Sequence, residues 1–405
     1  MDFELCPVSD AGRIFVGLCE SHQDVFSSRA AVHDRDGSFP TENFADLARS
    51  GIMAATVPAE LGGLGVSDLR DQVVGINRLA RGDGSTAIAA NMHIGHVRGL
   101  SWTWRQVTAA GQTARADALS RILRGVVDGS VIISAVGSEA GSPQHRPMAE
   151  ATRDGDVYRL NGRKSFATIC PIATLLSVVF RISAETGEGW RIAASYINRN
   201  TPGVEIQDNW DALGMRASGS NDIVFRDCPI SSRDVLDIGP WGVTTDRVLA
   251  LAAHGIIGLL GAFLGSAESA RAVALRQITV RGRGGESGVQ HQVAEMEAAL
   301  ASARATLERA AAHANELLYG SSNPATREQV VLAAKEGQLA KMIVTRDVID
   351  IVDRAMTLSG GSGYMASSPL ARMYRDVRAA PFMQPFSPLE VFEFVGKALL
   401  GIEVV

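Results

Sequence analysis

The chain has 405 residues, 46% hydrophobic and 20% charged, enough apolar material for two or three cored domains and too much for disorder. A formal charge of −5 leaves no basic footprint for nucleic acid, so the expected partner is a small-molecule substrate. Four cysteines (Cys6, Cys19, Cys170 and Cys228) lack metal-ligand spacing and are too few for a disulfide scaffold, which fits a reducing cytoplasm and predicts no metal site.

Asp2 and Glu4 open the chain without the basic-then-apolar pattern of an export signal, so a cytoplasmic location is expected. Residues 1–126 read as a helical domain. Phe44-Ala-Asp-Leu-Ala-Arg-Ser-Gly51 has apolar residues at helical spacing and closes on a glycine stop, Val57-Pro-Ala-Glu-Leu-Gly-Gly63 reads as a loop, and helices resume over 73–80 and 85–97. Residues 127–240 read as a small β barrel or sandwich. The stretches 131–135, 158–160, 175–182, 190–197, 204–206 and 222–225 are short, rich in β-branched and aromatic residues, and separated by Gly, Asn or Asp turns.

Residues 241–405 read as a helical bundle, expected to hold four helices and to carry oligomerisation. The stretch 248–267 has no formal charge and is long enough to span a bilayer. His254 in its middle, its Ala and Gly content and the lack of a second such segment favour a buried bundle helix and no membrane. Val293, Met296, Leu300, Ala303, Leu307, Ala310, Ala314 and Leu317 repeat in steps of three and four, the seam of a second helix. A third runs from Arg327, after Pro324, to Leu358, before Gly360. Helices, then strands, then a bundle is a segregated α+β order.

The end of the chain is the most informative part. Leu358-Ser-Gly-Gly-Ser-Gly-Tyr364 runs on to Met373-Tyr-Arg-Asp-Val-Arg378, Gln384 and Pro385. This resembles the C-terminal signature of the acyl-CoA dehydrogenase superfamily. Further blocks agree in order: Val57–Gly63 and Leu79-Ala-Arg-Gly-Asp83; Ser138-Glu139 with Gly141-Ser142; Asn161-Gly-Arg-Lys-Ser-Phe-Ala-Thr168; and Leu213-Gly-Met-Arg-Ala-Ser218 followed by Ile223-Val-Phe225. The resemblance implies a helical domain, a β domain and a four-helix bundle around FAD, with FMN also possible.

By that resemblance, Thr168 is expected near flavin N5, Phe166 against the ring, Ser138 at the pyrimidine edge and Ser142 at the pyrophosphate. Gly360 and Gly361, with the Tyr-Arg-Asp segment, are expected to help hold the cofactor. Arg276 resembles the arginine that reaches a neighbouring subunit's flavin, implying a homodimer or homotetramer. Thr279 and Val280 replace the Phe-Gly that normally follows it, which weakens the adenine contacts and makes FMN or a loosely held flavin an alternative. Gly282-Arg-Gly-Gly-Glu-Ser-Gly288 reads as a mobile loop, and no Rossmann phosphate motif is present.

The family's catalytic base is a Glu that removes the substrate's α-proton. It falls here on Gln384, whose amide cannot accept a proton near neutral pH. The alternative seat on the first bundle helix falls on Leu251, with Asp246 the acid that a shifted alignment would bring in. Flavin monooxygenases of this fold, such as amino-sugar N-oxygenases and sulfur-heterocycle oxygenases, also lack the Glu. The chain therefore reads as an oxygenase or oxidase using reduced flavin and O₂ on a small metabolite, with a separate flavin reductase as a candidate partner. A dehydrogenase with a relocated base and a non-catalytic flavin-binding protein are the alternatives. An oxygenase must shield its flavin from water and supply a proton. His93, His96 and His254 are the candidates, the first two on one helical face and His254 about a turn beyond Leu251.

Overall fold

The computed structural model describes residues 3–184, 189–321 and 324–402. Six helices come first: α1 (Asp10–Ser21), α2 (Gln23–Asp36), α3 (Thr41–Arg49), α4 (Leu69–Gly82), α5 (Gly84–Ala109) and α6 (Thr113–Val127). The starts of α4 and α5 are written in their caps. The Asp68 carboxylate accepts from Arg70 N–H and the Asp83 carboxylate from Thr86 N–H. Gly51 closes α3 in the left-handed conformation at φ 78°, as the glycine stop predicts. The segment after it is a tight turn, with a 3₁₀ turn at Ala59–Leu61.

The middle of the chain forms one eight-stranded mixed sheet: β1 (Ile133–Val136), β2 (Glu150–Asp154), β3 (Val157–Lys164), β4 (Leu175–Ser183), β5 (Trp190–Asn198), β6 (Val204–Ile206), β7 (Ile223–Ser231) and β8 (Leu236–Pro240). The main path runs β6-β7-β3-β2-β4-β5-β8, and β1 pairs in parallel with β4. Alternate residues of β4 (Leu176, Val178, Phe180 and Ile182) point into a core shared with Leu160, Phe225 and Ile197. Two strands escaped the sequence reading. Glu-Ala-Thr-Arg-Asp of β2 buries only Ala151, and β8 buries none of its five residues, so neither shows an apolar alternation.

Three long helices follow: α7 (Asp246–Val280), α8 (Ser287–Tyr319) and α9 (Arg327–Ser359). Then come α10 (Gly361–Tyr364), α11 (Pro369–Asp376) and α12 (Pro388–Leu400), the last packing on α9 through Phe394 and Val395. The uncharged stretch lies in α7 and is 76% buried over its most apolar window, a bundle helix as expected. Gly258, Gly261 and Gly265 let it approach Asn91, Val73 and Asn77, where an added Cβ would lie 2.2–2.7 Å from neighbouring atoms. One continuous core joins the N-terminal helices to the bundle. At its centre Glu268 of α7 accepts from Asn77, Arg81 and Arg304. Burial raises that carboxyl, but Arg81 and Arg304 outweigh it and hold the group below the ordinary carboxylate value.

Candidate active site

Beyond β3 the chain reverses through Phe166, Thr168 and Ile169. Phe166 and Ile169 adopt left-handed backbone at φ 57° and 67°, uncommon for large side chains and tolerated only where the surroundings fix them. They are fixed here. Ser165 N–H donates to Ser138 C=O (3.0 Å), Ala167 N–H to Asn221 C=O (3.0 Å), and Ser134 Oγ to Thr168 C=O (2.8 Å). Beneath them Lys164, fully buried, is paired with Glu139, whose other oxygen accepts from Met148 N–H at 2.7 Å.

The turn presents the Phe166 ring and the Thr168 hydroxyl, backed by two buried hydroxyls, those of Ser220 and Ser218. Phe166 is 58% exposed and set edge-on against Trp210, with centroids 5.9 Å apart. Thr168 Oγ1 lies 2.8 Å from Ser220 Oγ, which lies 2.7 Å from Ser218 Oγ. Hydroxyls able to donate or accept beside an uncovered ring are what the polar edge and flat face of an isoalloxazine require, so these residues fit a flavin. Trp210, Ser218 and Ser220 were not singled out in the sequence, although Ser218 closes one of the recognised blocks. Ser142 departs from expectation. Its hydroxyl donates to Arg146 C=O and closes its own turn.

A second group of predicted cofactor residues lies at the opposite end of the bundle. Gly360 takes φ 61° with ψ −152°, a conformation only glycine adopts readily, and an added Cβ at Gly360 or Gly361 would meet nothing within 4 Å. Arg281 holds this turn by donating to Ser359 C=O (3.1 Å) and Ser362 Oγ (2.7 Å), while Arg283 donates to Leu358 C=O (3.0 Å). The segment read as a mobile loop is therefore a hydrogen-bonded strap, with a 3₁₀ turn at Arg283–Gly285. Arg276 is exposed on the same end of α7. Leu251 and Arg276 are seven turns apart on that helix, about 38 Å along its axis.

In the Tyr-Arg-Asp segment Tyr374 is exposed, while Arg375 and Asp376 are engaged within the protein. Arg375 pairs with Asp34 and donates to Leu213 C=O at 3.2 Å; Asp376, 1% exposed, accepts from Met215 N–H at 2.6 Å. It locks the Leu213–Ser218 block, and so the run of hydroxyls, against the bundle.

Gln384 is exposed on the segment between α11 and α12. Lys341 of α9, 2% exposed, donates to the carbonyls of Met383 and Phe386 on either side of it. Burial lowers this amine to about 8, with Glu390 opposing. Pro385 and Phe386 line a cavity of about 120 Å³ with Gln144, His145, Thr244 and Val248. One turn further along α7, Leu251 is half exposed between the fully buried Leu249 and Ala253.

Each described acid around this opening is committed elsewhere. Asp246 pairs with Arg327 at 2.6 Å. Glu390 caps α12 by accepting from Ser387 N–H, and Glu393 pairs with Lys397 at 2.6 Å. Glu139 holds Lys164. Asp246, the acid that a shifted alignment would bring in, is thus held by Arg327.

The histidines divide. His93, expected to face the cavity, is fully buried and accepts Ile133 N–H on Nδ1 at 3.0 Å, pegging α5 to β1. Burial, then the neighbouring His96, pushes it down to about 4. His254 sits edge-on to Tyr319, with centroids 6.1 Å apart; burial, Arg98 and His96 push it to about 3. Burial thus favours the neutral imidazole at both positions. His96 lies 2.7 Å from the Tyr196 hydroxyl of β5. Among the described residues no group of three His, Cys, Asp or Glu side chains could hold a metal.

An N-terminal helical unit, a sheet and a bundle, with an exposed aromatic ring beside a run of hydroxyls, define a flavoprotein of the acyl-CoA dehydrogenase kind. Models of the acyl-CoA dehydrogenase N-terminal, middle and C-terminal domains match residues 20–125, 134–228 and 257–387, and the chain belongs to that family. It is 36% identical over 402 residues to the amino sugar nitrososynthase DnmZ of Streptomyces peucetius, covering 99% of this chain and 96% of that protein. Solved structures are similar as well. KijD3 in complex with FMN and dTDP-3-amino-2,3,6-trideoxy-4-keto-3-methyl-D-glucose gives a TM-score of 0.90 at 36% identity, covering 98% of this chain and 96% of the other. A nitrososynthase from Micromonospora carbonacea var. africana gives 0.91 at 34%, covering 99% and 100%.

Proposed function

We propose that this chain is a flavin-dependent oxygenase that oxidises the amino group of a nucleotide-linked amino sugar. The observation that carries it is the missing base: Gln384 and Leu251 fill both seats, and the described acids nearby are held in ion pairs or caps. Without a carboxylate, proton abstraction from carbon has no acceptor, whereas a free amine carries its own nucleophilic lone pair. Likeness to nitrososynthases, and to a structure that holds FMN with an amino-sugar nucleotide, supports this choice of substrate and cofactor.

When bound, the flavin supplies the electrons that activate oxygen. Thr168 would bind its polar edge, oriented by the buried hydroxyls of Ser220 and Ser218, with Phe166 against its face. Leu251 and Phe386 keep water from the reacting side. Gln384 holds the substrate with an amide that donates and accepts without changing charge. His96, bonded to the Tyr196 hydroxyl, is the group we assign to hold and return a proton.

Reduced flavin comes from a separate reductase in this reading. The assembly in this reading is a homodimer or homotetramer, in which Arg276, about 38 Å along α7 from Leu251, and the Gly360–Gly361 turn serve the flavin of a neighbouring copy. The test is to supply a reductase, NADH, flavin, oxygen and a dTDP-linked 3-amino sugar, and to follow the sugar by mass spectrometry. Oxygen in the amine, dependent on the protein, is the expected result; an unchanged amine with steady NADH consumption overturns the reading.

A further inference from the structure

Near neutral pH an amino sugar carries its nitrogen largely as an ammonium, which has no lone pair to offer until a proton leaves. The proposed function therefore needs a proton acceptor at the amine, and the described carboxylates around Gln384 and Leu251 are tied up in caps and ion pairs. The histidines singled out in the sequence are engaged too. His93 has Nδ1 bonded to Ile133 N–H, His254 is buried edge-on to Tyr319, and His96 is bonded to the Tyr196 hydroxyl.

His145 differs from them. It lies on the loop between β1 and β2 and lines the cavity of about 120 Å³ with Pro385 and Phe386, the two residues after Gln384, and with Val248, one turn before Leu251. Both seats that lack a carboxylate thus adjoin this cavity wall. The His145 ring is half-buried and makes no hydrogen bond among the described residues, so a ring nitrogen keeps its lone pair. The loop is pinned on both sides. Gly242, at φ 86°, donates its N–H to His145 C=O (2.8 Å), and Trp241 Nε1 donates to Pro147 C=O (2.9 Å). Glu139 at the start of the loop accepts from Met148 and Ala149 N–H at its end (2.7 and 3.0 Å). A base held this way needs little reordering when substrate arrives.

The surroundings favour the neutral ring, the form that accepts a proton. Burial and then the adjacent Arg146 hold His145 below the ordinary imidazole value, and Glu390 of α12 opposes them less strongly. Of the other described charged groups on this cavity, Glu393 and Lys397 pair with each other, and Asp246 at the start of α7 pairs with Arg327. We propose that His145 accepts a proton from the substrate's ammonium group, leaving a neutral amine beside Gln384 and an imidazolium that passes its proton to solvent. The nitrogen keeps the electron pair of the broken N–H bond, and no oxidant enters this step. The assignment rests on the proposed function and adds the residue that readies the substrate, while His96 keeps the separate task of returning a proton.

The experiment measures kcat/KM against pH for the flavin-loaded wild type and His145→Gln, with reductase, NADH and oxygen. The substrates are a dTDP-linked 3-amino sugar and its N-hydroxylamino counterpart, whose less basic nitrogen is already neutral at pH 7. On the amine, His145→Gln is expected to be slower by about tenfold or more at pH 7 and to recover as rising pH strips the ammonium proton. On the hydroxylamine the loss should be far smaller, and the ratio of the two rates in one preparation does not depend on how much of the variant has folded. Equal losses on both substrates, or a wild-type pH profile on the amine, overturn the proposal and leave the oxygenase reading intact. A second measurement needs no turnover: NMR titration of the histidine rings in protein holding oxidised flavin, with the His145 signal assigned by its loss in the variant. The amino sugar, but not its 3-hydroxy analogue, should make His145 harder to protonate, because an ammonium bonded to the ring opposes a second positive charge. No difference between the two sugars overturns the proposal. A difference without amine oxidation sinks the oxygenase reading instead and leaves the contact standing.

Discussion

Burial pushes the Asp376 carboxyl up to about 6 from an ordinary 3.8, against the pull of Arg372 and the Met215 N–H. Between those two values the folded chain holds a proton that the unfolded chain has released. The contribution of this group to stability is therefore largest below about pH 4 and falls as pH rises through the window to about 6. Asp376→Asn keeps an acceptor for Met215 N–H and should flatten the pH dependence of the urea midpoint between about pH 4 and 6. An unchanged slope would mean that the carboxylate is ionised throughout. Residue roles were only partly legible in the sequence. Gln384 stood out because an amide replaced an expected acid, whereas an arginine on a helix, such as Arg98, reads as solvated until burial and missing partners become visible.

Among the elements, the segment carrying Gln384 depends on α9 through the two bonds from Lys341. Lys341→Met leaves the Met383 and Phe386 carbonyls without this donor and should cost about 1–3 kcal/mol in chemical denaturation. If the clamp works by placing Gln384, Gln384→Ala and Lys341→Met will each lower turnover, and the double variant will be no slower than Gln384→Ala alone. Additive losses would separate the two residues. Long periodic helices such as α8 and α9 were legible because each shows a whole apolar seam to the core. β2 and β8 were not, since strands that bury one residue or none carry no period-2 signal. Lys341 gave no signal either, since nothing local distinguishes it from a surface lysine.

At the scale of the whole molecule, α12 ends the described chain with Leu389, Phe392 and Leu399 exposed on neighbouring positions, Leu389 at 84%. They are the surface we propose for contact between copies. Light scattering should find a dimer or tetramer, and Leu389→Glu with Phe392→Glu should give monomers that bind flavin more weakly; monomers of full flavin affinity would refute the shared site. The order of helical unit, sheet and bundle was legible because each carries its own period, and the family because short motifs fall in the same order along the chain. The proposed chemistry turns on the lack of a free carboxylate among the described residues around Gln384 and Leu251, and the anaerobic flavin spectrum tests that lack most directly. The flavin-loaded protein should keep its oxidised absorbance when mixed with butyryl-CoA or longer acyl thioesters without oxygen. Rapid bleaching by a thioester would reveal a working base and contradict the account.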